Sequence, residues 1–307
     1  MRHDAIIVGG SFAGLSAAMQ LARANRSVCV LDTGTPRNRF AATSHGFFGQ
    51  DGMRPSEMIA NARDKVAAYP RVRFLDLRAI GAATNEGGFT VDVAGGERLS
   101  AQKLVLAFGL TDRLPDIPGI QERWGQTVLH CPYCHGYEFL NRQLGVLSVS
   151  PLSTHQAALI PDWGPTTFFL NGGEIPDDEI GARLAARNVA IEVAPVIGLE
   201  GDAPGLAGVR LADGRFVEIA ALYLGPRTSL QSRIAEELGC ALEDGPFGAV
   251  IRTDATKMTN IPGVYAAGDV ARPMHNATLA SADGVLAGAS LHQALVFDPT
   301  PQITAGR

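Results

Sequence analysis

The 307-residue sequence lacks any apolar run long enough to cross a bilayer, and it lacks an excess of basic residues. Its formal net charge of −5 and pI near 5.8 give no reason to expect nucleic acid or an anionic membrane as a partner. The first residues lead straight into an apolar strand, without the apolar region or cleavage site of an export signal. We therefore expect a cytoplasmic protein with neither a membrane segment nor a nucleic-acid partner.

Cysteine is scarce: four residues in a cytoplasmic chain do not suggest a disulfide scaffold. Cys29 lies in the apolar run 27–31, and Cys240 follows a leucine and a glycine. Both are expected to be small buried apolar residues. The other two form the pair Cys131-Pro-Tyr-Cys134, which needs a separate explanation.

Glycine, in contrast, is abundant at 35 residues, and 46% of the chain is hydrophobic. This composition allows a well-filled core and many tight turns. Apolar strands alternate with helices in two successive series, the second starting near residue 125. We predict an α/β protein of two Rossmann-like, dinucleotide-binding, three-layer domains, the second inserted into the first. The first domain is predicted to comprise residues 1–113 and 245–307, and the inserted domain residues 114–244.

The first strand-to-helix turn, Gly9-Gly-Ser-Phe-Ala-Gly14, has the spacing of a dinucleotide-binding motif, although serine replaces the middle glycine. Gly9 permits a tight turn, Gly14 allows the helix to approach the strand, and the helix N–H groups can bind a pyrophosphate. An acidic residue about 20 positions further on can accept hydrogen bonds from ribose hydroxyls. The predicted cofactor-binding residues here are Gly9, Ser11, Ala13, Gly14 and Asp32.

A second motif, Gly263-Val-Tyr-Ala-Ala-Gly268-Asp269, resembles the second FAD signature of the two-dinucleotide-domain flavoproteins. The resemblance implies that Asp269 binds a ribityl hydroxyl of FAD. It also implies that the helix starting at Asn276 and Ala277 points its positive N-terminus at the flavin. Two signatures at opposite ends of the chain favour FAD over NAD. The further cofactor contacts implied by the resemblance are Arg39, Gly109 and Gly268.

The Cys-x-x-Cys pair permits a disulfide, and its thiolate form is favoured at a helix N-terminus. With the histidine that follows, the pair also matches the c-type haem attachment motif, but that chemistry belongs outside the cytosol. A zinc site would need a second ligand pair, and the remaining cysteines lie singly in apolar runs, so no metal is expected. His130, His135 and Glu138 place ionisable groups around the sulfurs, which favours a redox-active pair over a structural one.

The two FAD motifs and the inserted Cys-x-x-Cys resemble the low-molecular-weight thioredoxin reductases over nearly the whole chain. The string Cys131-Pro-Tyr-Cys-His-Gly-Tyr-Glu138, with segments 37–39 and 44–48, is similar to a branch that includes dithiol oxidases and NADPH-independent proteins. The resemblance implies a homodimer in which Cys134 lies against the flavin as the charge-transfer thiolate and Cys131 meets the substrate. His135 stands where the reductases carry an aspartate, so it is expected to take the acid–base role.

The turn at which this family binds NADPH is altered. Ser148-Val-Ser-Pro-Leu-Ser153 replaces Gly-x-Gly-x-x-Ala, and without the glycines the backbone cannot approach a pyrophosphate closely. Segment 170–174 offers no arginine for a 2′-phosphate, and Glu174 would repel one. A diverged NAD(H) site that uses Glu174 on the ribose is the alternative.

We therefore expect an FAD-dependent thiol/disulfide oxidoreductase that works without NADPH. It would oxidise dithiols with oxygen, or reduce disulfides with a ferredoxin-like or flavoprotein donor. Its substrate would be a small dithiol or disulfide, or a thioredoxin-like protein. The alternatives are an NAD(P)H-dependent thioredoxin-disulfide reductase and a non-enzymatic redox sensor.

Overall fold

The structure is a computed structural model that describes residues 2–298, so Met1 and residues 299–307 of the predicted first domain lie outside it. The chain divides into two compact units. Within the described residues, unit 1 comprises residues 2–37, Ser56–Thr111 and 229–298, and unit 2 comprises Asn38–Pro55 and Asp112–Thr228.

Strands and helices alternate from the start of unit 1. Short apolar runs form the strands, and segments rich in small apolar residues form the helices between them. The elements up to the first connection are β1 (Arg2–Val8), α1 (Phe12–Arg23), β2 (Val28–Leu31), α2 (Pro55–Ala67), β3 (Val72–Leu75), β4 (Ala79–Asn85), β5 (Gly88–Val93), β6 (Arg98–Leu106) and β7 (Leu110–Arg113).

Unit 2 repeats the alternation with shorter elements. They are β8 (Val128–Leu129), α3 (Pro132–His135), β9 (Leu144–Leu147), α4 (Ser153–Leu159), β10 (Thr166–Phe169), α5 (Asp178–Ala186), β11 (Ala190–Glu192), β12 (Val196–Glu200), β13 (Gly208–Leu211), β14 (Phe216–Glu218), β15 (Ala221–Tyr223) and β16 (Arg227–Leu230).

The chain returns to unit 1 through β16, which pairs with β7 as a two-stranded sheet. The remaining elements are α6 (Ile234–Glu237), β17 (Leu242–Asp244), β18 (Ala249–Ile251), β19 (Val264–Ala266) and α7 (Ala277–Phe297). Short 3-10 helices lie at Arg37–Phe40, Gln121–Arg123, Tyr137–Phe139, Ile160–Asp162 and Asp269–Ala271.

The sheet of unit 1 has the strand order β3-β2-β1-β6-β5-β4, and β19 also pairs with β6. Strands β3, β2, β1, β6 and β19 are parallel, whereas β4 and β5 are antiparallel additions. Alternate residues of β1 enter the two apolar cores of the unit, Ile6 and Val8 on one face and Ala5 and Ile7 on the other. The sheet is therefore covered on both faces, as parallel sheets require.

Helices α1 and α7 pack closely because two glycines of α7 face α1. A Cβ atom on Gly284 would overlap the carbonyl oxygen of Ala13, and one on Gly288 would lie 2.7 Å from that of Ala17. This approach brings the C-terminal helix against the helix that follows the first turn.

The sheet of unit 2 is parallel with the order β11-β10-β9-β15-β8, and β12, β13 and β14 form a separate antiparallel sheet. The two faces of the parallel sheet also carry separate apolar cores. Val128 and Phe169 lie in one core, and Leu129 and Phe168 lie in the other. The predicted fold class of two Rossmann-like α/β domains is confirmed. No helix within residues 2–298 is long and apolar enough to cross a membrane.

The unit bounds differ from the predicted domain bounds in three places. The middle segment of unit 1 ends at Thr111 rather than at residue 113. Unit 1 resumes at Ser229 rather than at residue 245, since Ile234 and Leu238 are buried in its core. Segment Asn38–Pro55 belongs to unit 2, where Phe40 packs against the core and a Cβ on Gly125 would lie 2.7 Å from the Cβ of Phe40.

Candidate active site

The first glycine turn of unit 1 has room for no side chain at either end. Gly9 has a φ of +111°, and a Cβ atom on it would overlap the carbonyl of Ala107, just after β6. A Cβ on Gly14 would overlap the carbonyl oxygen of Gly9 and lie 3.3 Å from Cγ2 of Ile7. Helix α1 therefore starts directly on the turn, which is the geometry that lets helix N–H groups face a ligand.

Asp32 lies beside this turn. A Cβ atom on Gly10 would be 2.7 Å from its Cγ, and 16% of the Asp32 side chain is exposed. Ser11 is the N-cap residue of α1, but its side chain makes no capping hydrogen bond. The turn thus combines a helix end that the Ser11 hydroxyl does not cap with a nearby carboxylate. These donors and the acceptor suit a pyrophosphate and a ribose.

The second signature ends at the same helix. Gly268 has a φ of +82°, and a Cβ atom on it would lie 2.9 Å from the Cβ of Ala13. Asp269 follows and forms an ion pair with Arg37, with 2.9 Å between Oδ2 and Nη1. The structure therefore brings the two predicted FAD signatures of unit 1 together.

Helix α7 begins where the sequence predicts. The side chain of Asn276 accepts hydrogen bonds from the backbone N–H groups of Thr278 at 2.8 Å and Leu279 at 3.3 Å. Ala277 is the first helical residue. Asn276 is thus a capping residue, and a contact of this helix end with flavin stays a prediction.

The remaining two predicted cofactor residues are Gly109 and Arg39. Gly109 has a φ of +76° just after β6, and its carbonyl accepts a hydrogen bond from the N–H of Gln231 at 3.3 Å. Arg39 belongs to unit 2, where its guanidinium lies 4.1 Å from the ring centroid of Phe40. Their contacts with a cofactor stay predictions.

In unit 2, Cys131 and Cys134 form a disulfide, with their Cα atoms 5.3 Å apart. Cys131 is extended and is the N-cap residue of α3, and Pro132 occupies the first helical position, where a missing N–H costs nothing. The N–H of Cys134 donates to the carbonyl of Cys131 at 3.3 Å. Both cysteine residues are half-buried.

The other two cysteines are free and buried, as the sequence predicted. Burial raises the pKa of the Cys29 thiol to about 11 and also raises the pKa of Cys240. Because the thiolate is the reactive form, the raised pKa values disfavour thiol exchange at both residues near neutral pH.

His135 closes α3 beside the disulfide. Its carbonyl accepts a hydrogen bond from the hydroxyl of buried Tyr223 at 3.2 Å, which fixes the backbone at this position. Burial lowers the pKa of His135, Glu138 opposes that effect, and His45 adds to it. The ring is therefore held in its neutral, proton-accepting form to lower pH than an exposed histidine.

Two residues without a predicted role complete this cluster. Nε2 of His45 lies 3.4 Å from Oε1 of Glu138, and Nδ1 lies 3.5 Å from Oδ2 of Asp51. The His45 ring meets the His135 ring edge-on, with 6.2 Å between centroids. The only sequence signal for them is the resemblance of segment 44–48 to the family.

Comparison with known proteins agrees with this geometry. Residues 3–149 match the family model described as pyridine nucleotide-disulphide oxidoreductase. The chain is 34% identical to thioredoxin reductase tcpT of Claviceps purpurea, covering 96% of this chain and 95% of that protein. It is 31% identical to thioredoxin reductase sirT of Leptosphaeria maculans, covering 94% and 93%.

A crystal structure of an oxidoreductase from Agrobacterium tumefaciens superposes with a TM-score of 0.93 at 47% identity, covering 97% of this chain and 99% of that one. The chain belongs to the thioredoxin reductase-like FAD oxidoreductases. It is therefore an enzyme that acts on sulfur groups, with FAD as its cofactor, and the turn at Gly9–Gly14 fits that cofactor.

This thioredoxin reductase-like oxidoreductase has an unusual second turn, between β9 and α4. The hydroxyl of Ser153 is fully buried and accepts hydrogen bonds from the N–H groups of Val149 at 3.0 Å and Ser150 at 3.2 Å. Backbone N–H groups of this kind bind the pyrophosphate in an intact dinucleotide turn. Here an internal side chain already satisfies two of them.

The next strand of the same unit ends without a positive charge. Asn171, just after β10, has a φ of +56°, and its side chain accepts a hydrogen bond from the N–H of Val196 at 2.9 Å. Glu174 is exposed. The next two arginines along the chain are paired with acidic residues: Arg183 of α5 with Glu179, and Arg187, just after α5, with Asp162.

Proposed function

We propose that this enzyme passes electrons between FAD and the Cys131–Cys134 pair, and between that pair and a thiol substrate, without NADPH. One observation carries the thiol chemistry: the disulfide lies at the start of α3, directly followed by a histidine whose burial keeps it neutral. Tyr133 and Tyr137, two positions before and after His135, are 73% and 76% exposed and offer aromatic surface to a substrate.

In the oxidising direction, a substrate thiolate attacks the sulfur of Cys131. A mixed disulfide forms, the Cys131–Cys134 bond breaks, and Cys134 leaves as a thiolate. The second substrate thiolate then attacks the substrate sulfur of the mixed disulfide, which releases the oxidised substrate and leaves Cys131 as a thiolate. The pair has gained two electrons, and the two thiol protons have been released.

His135 is the proposed acceptor of these protons. A neutral imidazole can take a proton from a thiol. Because burial lowers the pKa of His135, the protonated ring gives that proton up again readily. FAD, when bound, supplies the two-electron acceptor and donor. We assign Cys134 to the flavin side and Cys131 to the substrate side because the family resemblance implies that arrangement.

Two features support NADPH independence. Ser153 already accepts the hydrogen bonds of two turn N–H groups, so a pyrophosphate would have to displace its hydroxyl. No arginine occupies segment 170–174, so a 2′-phosphate would meet Glu174 instead of a cation. Both features of unit 2 support an enzyme that works without NADPH.

We further propose a small dithiol as the substrate, with oxygen as the final electron acceptor. A thioredoxin-like protein as substrate, or a ferredoxin-like donor in the reducing direction, would use the same cysteine pair. We also propose a cytoplasmic homodimer. The free Cys29 and Cys240 suit a reducing compartment, and α7 exposes Val285, Leu286 and Val296 to solvent, apolar surface that a second copy would cover.

The direct test is oxygen consumption by the FAD-loaded protein with dithiothreitol as a model dithiol. We expect dithiol-dependent oxygen uptake that is lost in Cys131→Ser and unchanged by added NADPH. A protein that consumes oxygen only when NADPH is present would contradict the proposal.

A further inference from the structure

Segment Asn38–Pro55 of unit 2 forms a closed loop that carries His45. The N–H of Ser44 donates to the carbonyl of Met53 at 2.8 Å, and the N–H of Gly52 donates to the carbonyl of Ser44 at 2.9 Å. These two bonds close residues 44–53 on themselves. The loop therefore presents His45 from a fixed backbone, and only 22% of that side chain is exposed.

Asp51 fixes the outer side of the His45 ring. Its Oδ1 accepts the N–H of Gly46 at 2.8 Å, and its Oδ2 lies 3.5 Å from Nδ1 of His45. The hydrogen bond from Gly46 lowers the pKa of Asp51, with a further contribution from His45. An ionised carboxylate thus faces one nitrogen of the ring.

The Nε2 side of the His45 ring faces the segment just after α3. Nε2 of His45 lies 3.4 Å from Glu138 and 3.1 Å from the hydroxyl of Thr43, and its ring meets that of His135 edge-on. His45 is therefore placed between two carboxylates, one on its own loop and one just beyond α3. Glu138 and His45 act on the charge of His135, and the hydroxyl of Tyr223 donates to its carbonyl.

We propose that Glu138 and His45 act on His135 as opposing charges and together set the pH range over which His135 exchanges protons with thiols. The inference rests on the proposed function only in assigning His135 as the proton acceptor. Its physical content is that two groups of opposite charge act on His135. Glu138 favours the imidazolium, and His45, when protonated, disfavours it.

The two charges predict opposite effects of two substitutions. In His45→Gln the like charge is removed while Glu138 remains, so the titration midpoint of His135 should move to higher pH. In Glu138→Gln the stabilising carboxylate is removed, so the midpoint should move to lower pH. A merely structural role gives a different result, because loosening the cluster hydrates His135 and raises its midpoint in both variants.

The experiment is a pH titration of the histidine ring signals by NMR, using the FAD-loaded, oxidised protein with 13C-labelled histidine. The chain has seven histidines, and His135→Gln identifies the signal of interest. The matched control is His155→Gln, at an exposed histidine of α4 in the same unit. It should leave the His135 midpoint unchanged.

Opposite shifts in His45→Gln and Glu138→Gln would support the inference, and the pH profile of dithiol turnover should move in the same two directions. No shift in either variant, or shifts in the same direction in both, would overturn it. If His45→Gln does not fold, the direction of the shift in Glu138→Gln tests the inference. This variant should fold, because 38% of the Glu138 side chain is exposed and glutamine is close to it in size. The titration needs no turnover, so it stands even if the proposed function fails.

Discussion

The hydroxyl of Ser153 lies 3.0 Å from the backbone nitrogen of Val149 and accepts its hydrogen bond. In Ser153→Ala this N–H and that of Ser150 lose their partner, so the free energy of unfolding should fall by about 1 kcal/mol. Urea denaturation measures this. Thr154→Ala is the control, because its exposed hydroxyl donates only to the carbonyl of Pro151 and its loss should cost less. Equal losses in both variants would mean that Ser153 does not hold the turn.

The same variant also tests the nicotinamide site. Freeing the two N–H groups should not make NADPH an efficient reductant, because segment 170–174 still lacks an arginine. Flavin reduction by NADPH in Ser153→Ala, followed by stopped-flow absorbance, should stay as slow as in the parent protein. A large gain in rate would show that the hydroxyl alone blocks an otherwise competent site.

Asp269 is expected to contribute to FAD retention. Replacing it with asparagine removes a charged hydrogen-bond acceptor and leaves Arg37 without its 2.9 Å ion-pair partner. We expect FAD affinity to fall by roughly 1–3 kcal/mol, or about 5- to 150-fold in Kd. Reconstitution of the apoprotein with FAD, followed by flavin fluorescence, gives the value. Asp244→Asn, at an exposed site on β17, should bind FAD as the parent does.

The two cysteines are expected to differ in their spectroscopic roles. Cys134→Ser should lose the long-wavelength absorption that a thiolate against flavin produces, whereas Cys131→Ser should keep it. Both variants should lose thiol turnover, since the mixed disulfide then has no second thiol to resolve it. Cys240→Ala removes a buried, unreactive thiol and should keep turnover. Full turnover in both serine variants would show that the pair is structural.

The pH dependence follows from the lowered pKa of His135. Burial favours its neutral form. The ring should therefore stay neutral, and able to accept a proton, at pH values below 6.5, the ordinary midpoint of histidine. The acid limb of kcat should therefore lie below that pH. In His135→Gln, kcat should fall by about 100-fold or more and lose this limb while FAD stays bound. An unchanged pH profile in His135→Gln would remove it from the mechanism.

The same shift has a consequence for stability. The unfolded chain protonates this histidine more readily than the folded one, so the native state loses stability as the pH falls below about 6.5. The His135→Gln variant should lose less stability between pH 7 and pH 5 than the parent. Thermal melts at several pH values give Tm against pH for both proteins, and the Tm of the parent should fall more steeply between pH 7 and pH 5.

Much of the site follows from local sequence. The glycines at positions 9 and 14 are required by close backbone approach, and Asn276 caps α7 as a residue of its type at that place should. Such features depend on a few neighbouring residues, so motif spacing predicts them. The disulfide between Cys131 and Cys134 is of the same kind, since only two residues separate the cysteines.

The features that sequence did not predict depend on contacts between distant segments. His45 and Glu138 meet only because segment Asn38–Pro55 packs in unit 2. The early return to unit 1 depends on burial of Ile234, which no local pattern announces. The hydrogen bonds of Ser153 likewise depend on the backbone path of the turn rather than on the identity of the serines alone.

The most direct test of the account is an anaerobic titration of the FAD-loaded protein, following flavin absorbance. Dithiothreitol added in stoichiometric amounts should bleach the flavin, because electrons enter through the Cys131–Cys134 disulfide. NADPH added instead should leave the flavin oxidised over the time of the experiment. Rapid bleaching by NADPH at rates typical of enzyme turnover, roughly 1–1,000 per second, with none by the dithiol, would contradict it.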